Sequence, residues 1–248
     1  MKKTPGLNNS KKESVDDINK KIESFLNKIS IKPGKLNLYF SAFVHRSYLN
    51  ENPGFSLENN ERLEFLGDAV LELSVTKYLF GKYCDKPEGE LTALRSALVR
   101  GKNLSDIASG LGLIDNLMLS TGEKNATEKA RSLILANTLE ALIGAIYLDL
   151  GFDKADEFIT QNIIRTNIKK IIEEKLYIDA KSEFQEKVQE RFKVTPRYSV
   201  LEQSGPDHDK IFISGVYINE KLIAKAEGSS KNIAEQKAAE EALKVLFN

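Results

Sequence analysis

The sequence predicts an all-α N-terminal domain followed by a small α+β domain of order α-β-β-β-α. Two observations carry this. Apolar residues recur at helical spacing through 18–29, 61–80, 91–111, 133–150 and 153–174, and aromatic or β-branched alternation is scarce there. After Tyr177 the texture changes to short alternating β-branched runs flanked by two helical stretches. The boundary falls near 175–180.

The first part is punctuated by Pro53-Gly54, Pro87-Glu88-Gly89 and Thr121-Gly122, which break helices. Residues 1–14 are polar and rich in Lys, Asn and Ser, and are expected to form a disordered tail. The helical domain is therefore read as 15–175 and the second domain as 178–248. In the latter, 179–192 reads as an amphipathic helix. Residues 198–204 alternate as a strand and end at Gly205-Pro206, and 211–218 form a β-branched second strand. Asn219-Glu220 reads as a hairpin turn and 221–227 as a third strand. Ser229 or Ser230 caps a last helix from Lys231 to Phe247.

Composition excludes more than it proposes. The 36 basic residues cancel 36 acidic ones, so no global charge points to nucleic acid, and local clusters must carry any such reading. A lone Cys84 excludes an internal disulfide framework and suits a reducing compartment. Met1-Lys2-Lys3-Thr4-Pro5-Gly6 is not followed by an apolar segment, and no uninterrupted apolar run approaches the roughly 20 residues of a membrane helix. A cytoplasmic protein without a membrane partner is expected.

The most telling segment is Asn60-Glu61-Arg62-Leu63-Glu64-Phe65-Leu66-Gly67-Asp68-Ala69-Val70-Leu71. Glu64 and Asp68 stand four apart, so their carboxylates share one face of an otherwise apolar helix. Like charges at that spacing repel, and burial without a cation costs far more. Gly67 between them costs about 1 kcal/mol relative to Ala in a helix interior. The helix 133–147 repeats the pattern with Asn137 and Glu140, three apart among apolar neighbours. If the two helices pack together, four oxygen-bearing side chains converge. Oxygen-only ligation favours a hard cation such as Mg²⁺, which retains waters and needs few protein oxygens. Spacing alone leaves a solvated acidic face as an equal alternative.

The segment 60–71 resembles the signature of the ribonuclease III family almost letter for letter. Its companions follow in the family's order: His45-Arg46-Ser47-Tyr48, Glu88-Gly89-Glu90-Leu91-Thr92, Leu98-Val99-Arg100 and Ile134 to Ala141, together covering about 36–160. The resemblance implies an endonuclease in which Glu64, Asp68, Asn137 and Glu140 bind Mg²⁺, with Mn²⁺ as a substitute. Asp68 and Glu140 are its catalytic residues. The family's position 137 is typically Asp, and a neutral Asn offers only a carbonyl oxygen. The resemblance also implies a homodimer with Phe65 and Glu61 at its interface, and no small-molecule cofactor. The implied reaction is hydrolysis of double-stranded RNA to 5′-phosphate and 3′-hydroxyl ends with short 3′ overhangs, in processing ribosomal RNA precursors and structured RNAs. The alternative is a non-catalytic or attenuated duplex-RNA-binding protein on the same scaffold, motivated by Asn137.

Residues 178–248 resemble the double-stranded-RNA-binding domain through Asp179 to Glu186, Pro196-Arg197-Tyr198, Gly205-Pro206-Asp207-His208 and Gly228 to Ala239. Such domains read A-form shape through 2′-hydroxyls and phosphates. The resemblance places Ser182, Gln185, Glu186 and His208 in minor grooves and Lys231 on a phosphate. Two features depart from the pattern. Lys231-Asn232 stands where the family has two basic residues, and the domain holds 11 Lys/Arg against 12 Asp/Glu. Its affinity is expected to be weak alone and strongly salt-dependent.

Overall fold

A computed structural model describes residues 15–174, 177, 179–206 and 210–247. The expected tail at 1–14 and His208 lie outside the described residues. Contacts divide the chain into two units, Met1–Leu176 and Tyr177–Asn248.

The first unit is helical: α1 (Val15–Lys28), α2 (Leu36–Ala42), α3 (Arg46–Glu51), α4 (Glu61–Lys82), α5 (Glu88–Val99), α6 (Gly101–Leu111), a 3₁₀ turn (Leu113–Asn116), α7 (Thr121–Lys124), α8 (Glu128–Leu150), α9 (Phe152–Ile159), a π-helical turn (Thr160–Ile164) and α10 (Arg165–Glu173). The amphipathic spacing of α1 buries Ile22, Phe25 and Leu26 on one side. α8 is the central element. Its residues from Ile134 to Ile146 are almost all buried, against α2, α4, α6 and α9. It is long and apolar enough to cross a membrane by length and composition, but its surface is the core of this unit.

Several boundaries differ from the periodicity. The run 91–111 is two helices, because Arg100 adopts an extended conformation (φ −57°, ψ 132°). Asn103 Nδ2 donates to the Leu98 carbonyl at 2.6 Å, satisfying an acceptor that the break leaves open. α8 starts earlier than its apolar face, at Glu128, where Thr127 Oγ1 accepts from the Ala130 N–H. The π turn interrupts the stretch 153–174. α4 is not buried on most faces as its apolar neighbours suggest: Phe65 is 82%, Leu73 57% and Phe80 76% exposed. These lie seven or eight residues apart and form one uncovered apolar stripe.

The helix pair that packs most extensively is α4 with α8. They meet backbone to backbone at two glycines. A Cβ on Gly67 would lie 1.8 Å from the Glu140 carbonyl oxygen, and one on Gly144 would lie 2.2 Å from the Leu63 carbonyl oxygen. No atom has room there, and neither neighbour is a flexible side chain. Gly67 is thus not a local fault of its helix but the condition for the crossing.

The second unit contains α11 (Ala180–Phe192), β1 (Arg197–Ser204), β2 (Ile211–Ile218), β3 (Lys221–Gly228) and α12 (Lys231–Phe247). Its sheet is antiparallel in order β1-β2-β3. Asn219 has φ +53°, as the turn between β2 and β3 requires. Phe184 and Val188 of α11, Val216 and Ile218 of β2, and Ala238, Ala239 and Ala242 of α12 form the core. Asp179 caps α11 by accepting from the Lys181 and Ser182 N–H groups, and Ser230 Oγ accepts from the Ile233 N–H at the start of α12.

Adding one methyl at the crossing is expected to destabilise the helical unit severely, since over-packing typically costs about 1–3 kcal/mol even where side chains can yield. Gly67→Ala and Gly144→Ala should each lower its thermal midpoint by about 6 °C or more in circular dichroism melts. A midpoint equal to that of the parent would refute the backbone contact.

Candidate active site

The start of α4 is fixed by three ties. Asn60 is 2% exposed, its N–H donates to the Val44 carbonyl and its Nδ2 to the Ala42 carbonyl, while its own carbonyl accepts from the Glu64 N–H. His45 caps α3, its Nδ1 accepting from the Ser47 N–H, and Ser47 Oγ accepts from the Ser120 N–H. Arg46 pairs with Glu61 at 3.4 Å. The motif 45–48 thereby holds the segment from which α4 departs, and Glu64 follows in the first turn.

The glycine crossing then sets Glu64 and Asp68 on α4 opposite Asn137 and Glu140 on α8. Glu64, Asn137 and Glu140 are half-buried and Asp68 is exposed. The Asn137 side chain acts on the Glu64 carboxyl from across the helix pair and favours its charged form. Burial raises the Glu64 carboxyl above its ordinary value; the Asn137 amide opposes this, while Glu61 and Asp68 add to it. Glu140 is pushed up to about 7, first by burial and then by the charges of Asp68 and Glu64. The four residues therefore share one electrostatic site. Among the described residues, no three His, Cys, Asp or Glu side chains are drawn as tightly as direct ligands around one ion. The donor set, three carboxylates and an amide, fits a hard divalent cation, whose charge would relieve the repulsion that lifts Glu140.

Elsewhere the expected residues fall as follows. Glu61 is exposed and held by Arg46 and Asn59. Phe65 projects into solvent beside a groove of about 790 Å³, lined also by Leu38, Leu57, Leu66 and Leu148. Glu88 accepts from Thr92 Oγ1 at the start of α5. Ser182, Gln185 and Glu186 are exposed on one face of α11, and Lys231 is exposed at the start of α12. These lie in the second unit. Sequence reasoning missed Gly144. Its signal was available: it stands four residues after Glu140 in an apolar helix, as Gly67 stands three after Glu64.

A nuclease scaffold with a separate RNA-reading module is the class that the helical unit and the α-β-β-β-α unit define, and comparison with known proteins makes it specific. Residues 35–167 match the ribonuclease-III-like family model and 180–246 the double-stranded RNA binding motif. The chain is 41% identical to ribonuclease 3 of Borreliella burgdorferi over 92% of each chain, and 43% identical to that of Leptospira interrogans over 89% of this chain and 88% of the relative. Ribonuclease 3 of Staphylococcus saprophyticus is 37% identical over 97% of this chain and 98% of its own. The crystal structure of the nuclease domain of Campylobacter jejuni ribonuclease III is 40% identical and covers 60% of this chain and 97% of its own, with a TM-score of 0.53. A second structure of that domain (41% identity, 57% and 97% coverage, TM-score 0.51) concerns flexibility in a region involved in dimer formation. The chain belongs to the ribonuclease III family. It is an endoribonuclease with a double-stranded-RNA-binding domain.

The raised Glu140 carboxyl has a consequence for stability in metal-free protein. Its folded pKa of about 7 exceeds the unfolded value of 4.5, so between these pH values the folded state binds more protons and stability falls as pH rises. Replacing the acid by an amide removes this loss. With chelator present, Glu140→Gln should be more stable than the parent by on the order of 2 kcal/mol at pH 8 and about equal to it near pH 4.5, read by thermal melts. A pH-independent difference would contradict the site's electrostatics.

Proposed function

We propose that the chain hydrolyses double-stranded RNA with Mg²⁺ held at Glu64, Asp68, Asn137 and Glu140, Asp68 and Glu140 being the catalytic residues and Mn²⁺ a substitute ion. The observation that supports this is the electrostatic convergence of four oxygen-bearing side chains at one helix crossing. A divalent ion held by these residues would supply polarisation of a phosphate and a bound water of lowered pKa. The chain's own groups do the rest. Glu64 and Glu140, half-buried, supply fixed negative charge, and exposed Asp68 meets incoming substrate. With such a cation beside it, Glu140 would be held in its ionised form at neutral pH.

In the second unit, Ser182, Gln185 and Glu186 suit 2′-hydroxyls in a minor groove, and His208 a neighbouring groove. Lys231 suits a phosphate aided by the N-terminus of α12. Phe65, Leu73 and Phe80 form an apolar stripe that a second copy would cover, with Glu61 at its margin. In such a homodimer two sites related by a twofold axis cut both strands, giving 5′-phosphate and 3′-hydroxyl ends with short 3′ overhangs. Precursors of ribosomal RNA and structured messages are the expected cytoplasmic substrates, and no small-molecule cofactor is required.

Two experiments test this reading. Incubated with perfect duplex RNA and Mg²⁺, the parent should cut and Glu140→Ala should be slower by about 100-fold or more, while both retain RNA in gel-shift assays. Equal rates would refute it. Phe65→Ala should shift the protein toward monomer in light scattering at micromolar concentration, and an unchanged mass would remove Phe65 from the interface.

A further inference from the structure

We propose that Gln236 of α12 is a positioning residue for duplex-RNA binding, whose side-chain amide holds Asp179 so that the Ser182 hydroxyl stands as an acceptor for a ribose 2′-hydroxyl. This rests on the reading of Ser182 given above and assigns a task to a residue outside the RNA-facing set.

The contacts run in one line from α12 to the head of α11. Gln236 Nε2 donates to Asp179 Oδ1 at 2.7 Å, and Gln236 Oε1 accepts from the Lys181 N–H at 3.2 Å. A carboxylate only accepts and a backbone N–H only donates, so this is the one orientation of the amide that satisfies both neighbours. Asp179 is the N-cap of α11, and the same Oδ1 accepts from the Lys181 and Ser182 N–H groups at 3.1 and 3.3 Å. Its other oxygen, Oδ2, accepts from Ser182 Oγ at 3.1 Å. The Ser182 proton is thereby committed to Asp179, and the lone pairs of this exposed residue's hydroxyl remain to accept. A 2′-hydroxyl is a donor that DNA lacks, so an acceptor fixed here reads RNA.

Charge and packing support the same line. Burial would raise the Asp179 carboxyl, but the bonds from Gln236, Ser182 and Lys181 outweigh it and hold the group below its ordinary value. Without Gln236, Asp179 loses its shortest bond, the one that comes from another helix. Lys181 is committed within the unit rather than to a phosphate. Its ammonium pairs with Glu235 at 2.5 Å and lies over the Tyr198 ring at 5.0 Å. The buried face of α12 consists of Ala234, Ala238, Ala239 and Ala242. Methyl groups interdigitate little, so polar contacts at the head set how α11 sits on α12.

The test is binding of the full chain to a perfect RNA duplex and to a DNA duplex of the same sequence. It is read by fluorescence anisotropy at pH 8 with chelator present, from low salt upward. Gln236→Met keeps length and helix preference but cannot donate to Asp179. It is expected to weaken RNA binding about fivefold, the effect of misplacing one hydrogen bond. DNA binding should change by less than about twofold, and the slope of log Kd against log[salt] should stay parental, because no phosphate contact is lost. In a Ser182→Ala background the same substitution should cost less than about half as much, since the group it positions is gone. Gln236→Glu cannot donate either and repels Asp179, so it should bind RNA no better than Gln236→Met.

Parental RNA affinity in either variant, an equal loss on RNA and DNA, or full additivity with Ser182→Ala would each overturn the role assigned to Gln236. A variant that merely fails to fold shows as the equal loss. Failure of the underlying reading looks different, since Ser182→Ala and Lys231→Ala would then both bind RNA as the parent does. Ser182→Ala weaker than the parent, with Gln236→Met unchanged, removes only the positioning role.

Discussion

The contact on which the rest depends is the meeting of α4 and α8 at Gly67 and Gly144. Interiors are packed at crystal-like density, so two helices ordinarily stand 8–10 Å apart, held off by their side chains. Here the side chains are absent at the point of crossing, and each glycine faces a carbonyl of the partner helix. The consequence is chemical as well as structural. Carboxylates on separate helices at ordinary spacing would sense each other weakly through water, but at this crossing Asp68 and Glu64 of α4 add to burial in raising the Glu140 carboxyl of α8.

The site is therefore an arrangement that the fold imposes against its own electrostatics. Burial and like charge both disfavour ionised Glu140 and Glu64. The apolar mass of α8, buried from Ile134 to Ile146, supplies the compensating stability. A protein that carries such a cost in its most buried helix gains from it only if something positive arrives. The same logic applies to the outer side of α4, where Phe65, Leu73 and Phe80 remain uncovered among the described residues. One face of the helix calls for a cation and the other for apolar cover.

Much of this was legible in the letters, and unevenly so. The helical first unit, the three strands and the final helix of the second follow from period-3.6 and period-2 patterns that local burial enforces. The acidic pairs were visible because Glu64, Asp68, Asn137 and Glu140 break otherwise apolar helical runs. What the pattern did not reveal depends on contacts distant in sequence. Gly67 reads as a weakness until the Glu140 carbonyl is seen behind it, 73 positions further along the chain. The break at Arg100 has no proline to announce it, and is repaired by a side chain, Asn103, that periodicity treats as surface. α2, α3 and α7 are too short for a helical period to stand out. The exposed stripe on α4 is the plainest case, since apolar residues on every side suggest full burial and a single chain cannot say who covers them.

The most direct test of the central claim is a crystal structure of the full chain soaked with Mn²⁺, with data collected at the metal's absorption edge. The account predicts one strong anomalous peak per chain between α4 and α8, within reach of the Glu64 and Glu140 carboxylates and with Asp68 close by. A principal peak elsewhere on the molecule, with this crossing empty at saturating Mn²⁺, would contradict it.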